Sequence, residues 1–319
     1  MKIISATRVD VLDVCRRVAA AYPVIGGGLV DRHLAADDPA WVQAERALGY
    51  LRAKHPGGLD DVLEAFAIVS MDFLRLQARF MKTRRYARSD SSELVSDLYA
   101  DDEKMSGYYL DGLAMTYVLW PNLARMIASF MDDFVPRLAA GARVVEVGVG
   151  HGLMAAMLFE AVPDLRYVGV DISPSSLQYA GSALSGLGVP ADRWSMVSAD
   201  ALAGNLAGLA GGNGFDGLVC CEVLEHVDEP QRLLANLAAS LRPGGVGFMS
   251  TVANMEAEDH VYLFPDVASI RQAFAASGWS IEQDRPNVLP GADSWDPLPV
   301  NYSGLFTPAV AQPVAAHGG

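Results

Sequence analysis

Two groups of residues in this 319-residue chain have types and spacings that could do chemistry. The first is Val144 to Gly152, V-V-E-V-G-V-G-H-G, where a β-branched run stops at Gly148, Gly150 and Gly152 and a helical pattern follows from Leu153. Glycines at a strand end let the backbone turn tightly and approach a ligand closely. A dinucleotide pyrophosphate would require G-x-G-x-x-G, yet the third glycine here comes two residues after the second. Glu146 sets the sign of the ligand. A carboxylate repels pyrophosphate and attracts an ammonium or sulfonium, so the ligand is expected to be cationic at that end. The second group is made of histidines and acids. His151, His226 and His260 fall just past the ends of the first, fourth and fifth predicted strands, with Glu222 and Glu225 beside His226 and with Glu256, Glu258 and Asp259 beside His260. An imidazole titrates near neutral pH, so His226 could serve as general base or as metal ligand. For His151, inside the glycine turn, a hydrogen-bonded rim position is the simpler reading.

Such residues need a sheet to bring them together. From residue 142 the pattern alternates: strands at 142–148, 166–171, 193–198, 215–221 and 244–252, and helices near 152–162, 174–187, 230–241 and 266–277. Ser173-Pro174 is a cap and first-turn pair placed just after Asp171. Alternation of this kind predicts an α/β fold with a parallel sheet covered on both faces. Ser280 to Gln283 and Asn301 to Thr307 read as final strands, and the chain beyond Pro308 as frayed. Residues 1 to about 140 read as helices, at Arg8 to Ala21, Pro39 to Lys54 (with Asp38 as its cap) and Leu59 to Met81. Lys82 to Ser92 reads as an exposed connector. Asp101 to Leu119 carries Tyr108, Tyr109, Asp111 and Tyr117, and Trp120-Pro121 opens a helix to about Leu138. This gives a helical unit over 1–120 and a ligand-binding unit over 121–319.

Further motifs follow the glycine turn in order. Tyr167-Val-Gly-Val-Asp171 ends a second strand in an acid, Ser198-Ala-Asp200 ends a third, Phe215 to Val227 (F-D-G-L-V-C-C-E-V-L-E-H-V) forms a fourth and its exit, and Leu241 to Ser250 (L-R-P-G-G-V-G-F-M-S) turns into a fifth. Together these resemble the class I S-adenosylmethionine methyltransferases over roughly residues 120 to 310. The resemblance implies a three-layer sandwich with a mostly parallel seven-stranded sheet in the order 3-2-1-4-5-7-6. It implies S-adenosylmethionine as cofactor, held by Glu146, Gly148, Gly150 and Gly152, with Asp171 on the ribose hydroxyls, Ile172, Asp200 and Ala201 about the adenine, and Glu222 nearby. Segments upstream of the first strand in that family fold over cofactor and acceptor, so Tyr108 and Tyr109 either line the pocket or pack the two units together.

In that sheet order strands one, four and five are neighbours, so His226 and His260 are expected on one rim. With one carboxylate, best Asp259 but equally Glu258 or Asp228 or none, they would make a two-nitrogen, one-oxygen site suited to iron or zinc. E-V-L-E-H followed by D-H-V-Y-L-F looks like the metal-dependent α-keto acid C-methyltransferases of secondary metabolism. That narrower likeness implies methylation at the β-carbon of a 2-oxo acid whose carboxylate and keto oxygen chelate the metal. The proton acceptor stays open among Tyr108, Tyr109, Tyr117, His151 and water on the metal. Two alternatives stand beside this reading: a metal-free O- or N-methyltransferase with His226 as base, and a protein that binds the cofactor without turning it over.

Composition narrows the partners. With 51% hydrophobic and 19% charged residues, wholesale disorder is excluded. A formal net charge of −14 disfavours nucleic acid, since only Lys82 to Arg88 clusters basic residues. Charges at Arg8, Asp10, Asp13, Arg16 and Arg17 break any signal-peptide core, and no long uncharged apolar run suggests a membrane span, so a cytoplasmic location is expected. Three cysteines fit reduced core positions. The apolar stripes of the helical unit serve its core or the contact between units, or form a homodimer surface.

Overall fold

A computed structural model of the chain describes residues 5–309, so the tail expected to fray lies, from residue 310 on, outside the described residues. Helix α1 (Arg8–Ala21) starts in a capping box, in which Thr7 and Asp10 satisfy one another's backbone amides. Helix α2 (Asp38–Lys54) is capped by Asp37, whose carboxylate accepts from the Ala40 amide at 3.2 Å. The expected cap, Asp38, is instead the first helical residue, because the Asp37 side chain reaches the free donors and Pro39 in the first turn needs none. Helix α3 (Asp60–Thr83) buries Val62, Phe66, Ser70, Gln77 and Phe80 on one face and stops at Arg84, which is left-handed (φ 58°).

Residues 84–109 form a strap between α3 and α4 (Leu110–Leu119). Lys82 to Ser92 is largely the exposed connector expected, with Lys82, Arg84, Arg85, Ser89 and Asp90 exposed, but it is anchored: Tyr86 is buried, 5.4 Å from the Phe80 ring and 5.8 Å from that of His260, and the Ser91 amide donates to Asp228 at 3.1 Å. Ser91 looks solvent-seeking in sequence, yet its amide and hydroxyl both donate to Asp228 on the sheet side. The helix expected from Pro121 to Leu138 is regular only as α5 (Pro121–Ser129). It widens at Phe130–Phe134 and tightens at Val135–Arg137, where Pro136 supplies no donor.

The sheet comprises β1 (Arg143–Val147), β2 (Arg166–Asp171), β3 (Trp194–Ser198), β4 (Phe215–Cys221), β5 (Leu241–Ala253), β6 (Trp279–Val288) and β7 (Val300–Pro308), in the order β3-β2-β1-β4-β5-β7-β6. The first five are parallel, and β7 inserts antiparallel between β5 and β6. Helices α6 (Leu153–Ala161), α7 (Pro174–Gly186), α8 (Pro230–Ser240) and α9 (Val267–Ala276) connect the strands. The expected fold class and strand order are those observed. Val144, Phe130, Phe134 and Phe248 share one continuous core with Val11, Leu48 and Phe66 of the helical region. The opposite sheet face has its own core around Leu218, Leu234 and Phe274. The helical region therefore rests on the sheet through shared apolar burial, which fixes what hangs over the strand ends.

Candidate functional site

At the carboxyl ends of β1, β2, β4 and β5 lies a cavity of about 520 Å³, roofed by α3, the strap and α4. Its first half is built by the glycine turn. Gly148 (φ 77°) and Gly152 (φ 73°) are left-handed, and a Cβ at Gly148 would sit 2.4 Å from Val223 Cγ2, so a side chain is refused on two grounds. Glu146, at the end of β1, is 3% exposed and accepts the Tyr167 hydroxyl at 2.7 Å. Burial pushes its carboxyl up to about 8. Asp171 accepts from the amides of Ser173 (2.8 Å) and Gly150 (3.4 Å); burial raises its pKa against those donors. Ile172, 41% exposed, and Asp200 and Ala201 continue the same wall. Thus every residue expected about the cofactor lines this cavity except Gly152, whose close approach is to Ala180 on α7.

His151 sits at the same turn, and its ring contacts Tyr117 edge-on at 4.9 Å while its Nδ1 accepts from the Leu153 amide at 3.3 Å. Burial lowers its pKa to about 4, so it is neutral and held by its own turn.

The second half is built by two loops. The exit of β4 passes through Glu222, non-glycine at φ 53°, into a short 3₁₀ turn, Leu224–His226. Glu222 accepts from Ser250 Oγ (2.7 Å) and Asn301 Nδ2 (3.2 Å), and Asn301 in turn accepts from Asn122. Burial lifts Glu222 to about 7. The Glu225 carbonyl accepts the amides of Val261 (2.8 Å) and Tyr262 (2.9 Å), which ties this turn to the loop after β5. That tie is why His226 and His260 meet, with ring centroids 5.2 Å apart.

Glu225, His226 and His260 offer ligand atoms that all lie within 4.8 Å of one another. Glu225 is fully buried. Its Oε2 accepts from Thr251 at 2.7 Å, and its Oε1, 4.0 Å from His260 Nε2, has no hydrogen-bond partner. Asp259 lies 3.6 Å from His226 Nε2 and 3.9 Å from His260 Nε2, and accepts the Tyr109 hydroxyl at 2.8 Å. Burial would raise the Asp259 pKa, but the two imidazoles and Tyr109 hold it below the usual range. His260 Nδ1 faces the Met255 carbonyl at 2.7 Å and His226 Nδ1 the Tyr99 hydroxyl at 3.2 Å, so both Nε2 atoms turn inward. An orphaned buried carboxylate oxygen beside two imidazoles with outer partners is a donor set that fits a zinc- or iron-like ion. Sequence reasoning paired the histidines with Asp259 and passed over Glu225, Tyr99 and Asn301. The E-V-L-E-H motif named Glu225 without saying which way a 3₁₀ turn would aim it.

Strand order, glycine turn and strand-end acids together define a class I methyltransferase fold with S-adenosylmethionine as the cofactor of that turn. Residues 145–246 match the family described as "Methyltransferase domain". The chain is 34% identical over 122 residues to the ubiquinone biosynthesis O-methyltransferase of Chromobacterium violaceum, covering 38% of this chain and 49% of that protein. It is 34% identical over 113 residues to that of Ralstonia nicotianae, covering 35% and 44%. The chain spans about half the length of the curated relatives it matches. A solved S-adenosylmethionine-dependent methyltransferase from Mesorhizobium loti superposes with a TM-score of 0.44 at 17% identity, covering 58% of this chain and 96% of that one.

Proposed function

We propose that this protein transfers the methyl group of S-adenosylmethionine to the β-carbon of a small 2-oxo acid chelated to a metal ion held by His226, His260 and a carboxylate, Glu225 or Asp259. The observation that carries this reading is the unpartnered, fully buried Glu225 Oε1 beside two inward-facing imidazoles, in a cavity with no Lys or Arg in its described lining. An anionic acceptor in so acidic a chamber needs a cation, and the cluster supplies the place for one.

The bound ion would act as a Lewis acid on the chelated oxygens, making the adjacent carbon easier to deprotonate by several kcal/mol. The chain's own residues do the rest. Glu146 and the glycine turn hold the cofactor's cationic end. Glu222, fixed by Ser250 and Asn301 and raised by burial above the usual carboxylate range, which makes it more basic, stands as the proton acceptor. Tyr109 donates to Asp259, and His151 is engaged by Leu153, so neither is free for that task. Phe73, Leu113, Trp120 and Val69, each half-buried, line the cavity and favour an acceptor with an apolar side chain.

The relatives' printed names, O-methyltransferases, favour a second reading, methylation of an acceptor oxygen, for which a catechol with two adjacent oxygens is the probe. Such an acceptor would chelate the same ion. Mass spectrometry of reactions with 2-oxo acids and with catechols, before and after chelator treatment, tests both. We expect a carbon-bound methyl on a 2-oxo acid, lost on metal removal and restored by zinc or iron(II). An oxygen-bound methyl on catechols alone selects the second reading, and full activity after exhaustive metal removal sinks both. Glu222→Gln is expected to lower kcat by about 10²-fold or more while metal content stays unchanged.

A further inference from the structure

We propose that Tyr99 and Tyr109, both carried by the strap, are positioning residues that hold His226 and Asp259 in their metal-binding orientations, so that metal binding and strap closure are coupled. This rests on the reading of the cluster as a metal site. The two ligand loops are met from the helical side at nearly every polar group. Glu256 pairs with Arg79 and accepts the Ala87 amide, Asp228 accepts from Ser91, and Glu258 pairs with Lys104. His226 faces Tyr99 at 3.2 Å and Asp259 faces Tyr109 at 2.8 Å. A surface cover would need only apolar contact, whereas this strap places hydroxyls on the donors themselves.

The two histidines are held differently. His260 Nδ1 lies 2.7 Å from the Met255 carbonyl, which can only accept, so its proton stays on Nδ1 and its Nε2 lone pair is always available. His226 Nδ1 faces a hydroxyl, which can donate or accept. When Tyr99 donates, the imidazole proton sits on Nε2, the side facing Asp259 at 3.6 Å, and the donor is blocked. When Tyr99 accepts, Nε2 is free. A metal selects the second arrangement, and removing the hydroxyl would leave a buried N–H without a partner. Tyr109 occupies one oxygen of Asp259 and leaves Oδ1, 3.9 Å from His260 Nε2, for the ion. Strap and metal thus each favour the state the other needs, which is a coupling free energy between them.

The test uses the full chain stripped of metal, with Zn²⁺ and Co²⁺ as probes and a chromophoric chelator as competitor. Tyr99→Phe and Tyr109→Phe keep the rings and remove only the hydroxyls, and each is expected to weaken metal affinity about 10- to 100-fold. The Co²⁺ absorption spectrum should shift in Tyr99→Phe, as the imidazole loses its outer partner. Trypsin cleavage at the exposed Lys82, Arg84 and Arg85 should slow on adding Zn²⁺ to the wild type, and slow less in the variants. Variants that melt earlier yet bind both metals with wild-type affinity and spectrum would overturn the proposal, because their role would then be structural. A wild type that binds metal with no change in strap cleavage overturns the coupling. A wild type that binds neither ion overturns the metal reading itself, a result visible before any variant is made.

Discussion

Glu146 links one side chain to the pH dependence of the whole fold. Its carboxyl would ionise near 4.5 in the unfolded chain, and burial raises it to about 8 in the fold. The folded state therefore keeps a proton that the unfolded state gives up. Its stabilising share is complete below about 4.5 and is lost as pH rises toward 8, at about 1.4 kcal/mol per pH unit within that window. Chemical denaturation of ligand-free Glu146→Gln across pH 5 to 8 should give a flatter profile than the wild type by roughly that slope. Saturating S-adenosylmethionine should flatten the wild-type profile too, since a cation beside the carboxylate favours its charged form. His151 runs the other way: lowered to about 4, its contribution is lost as pH falls from 6.5 toward that value. At this scale Glu146 was legible in the sequence, because its distance from the first glycine fixes its place. Glu225 was not, since a 3₁₀ turn obeys neither strand nor helix periodicity, and the orientation of its carboxylate depends on Thr251, 26 residues away.

At the scale of elements, the glycine turn makes a strict demand. Gly148→Ala would force a methyl 2.4 Å from Val223 Cγ2 in a left-handed conformation that itself costs about 1–2 kcal/mol. Cofactor affinity measured by calorimetry should drop sharply, and Val223→Ala on the same chain should recover part of it by removing the clash but not the strain. Phe73 on α3 and Trp120 before α5 pack at 5.2 Å and form an apolar wall of the cavity. Phe73→Ala is expected to raise KM for an apolar acceptor by about tenfold or more, with cofactor affinity unchanged. The strands and connecting helices could be read from hydrophobic alternation and caps, and β4 begins and ends where the pattern said. The strap could not: its partners Asp228, Glu256, Glu258 and Asp259 lie more than 130 residues later, and no local pattern encodes such pairing.

At the scale of the molecule, the helical region and the sheet share one apolar core, so packing runs continuously across the residue 120/121 boundary. Among the described residues no helix is long and apolar enough to cross a membrane. Core, contact between units or a homodimer surface are the alternatives for the helical stripes, and for the last α3 offers a face to test: Ile68, Met71 and Leu74 stand 39%, 45% and 40% exposed along one side of the helix. Sedimentation of Met71→Glu should show a monomer if that face joins two copies. Strand order has a last consequence, for synthesis. Asn301, which steadies Glu222, belongs to β7, the last of the described strands in sequence, yet β7 lies between β5 and β6. Until that strand emerges from the ribosome, a nascent chain would have the residues of its glycine bend but lack the amide that steadies Glu222.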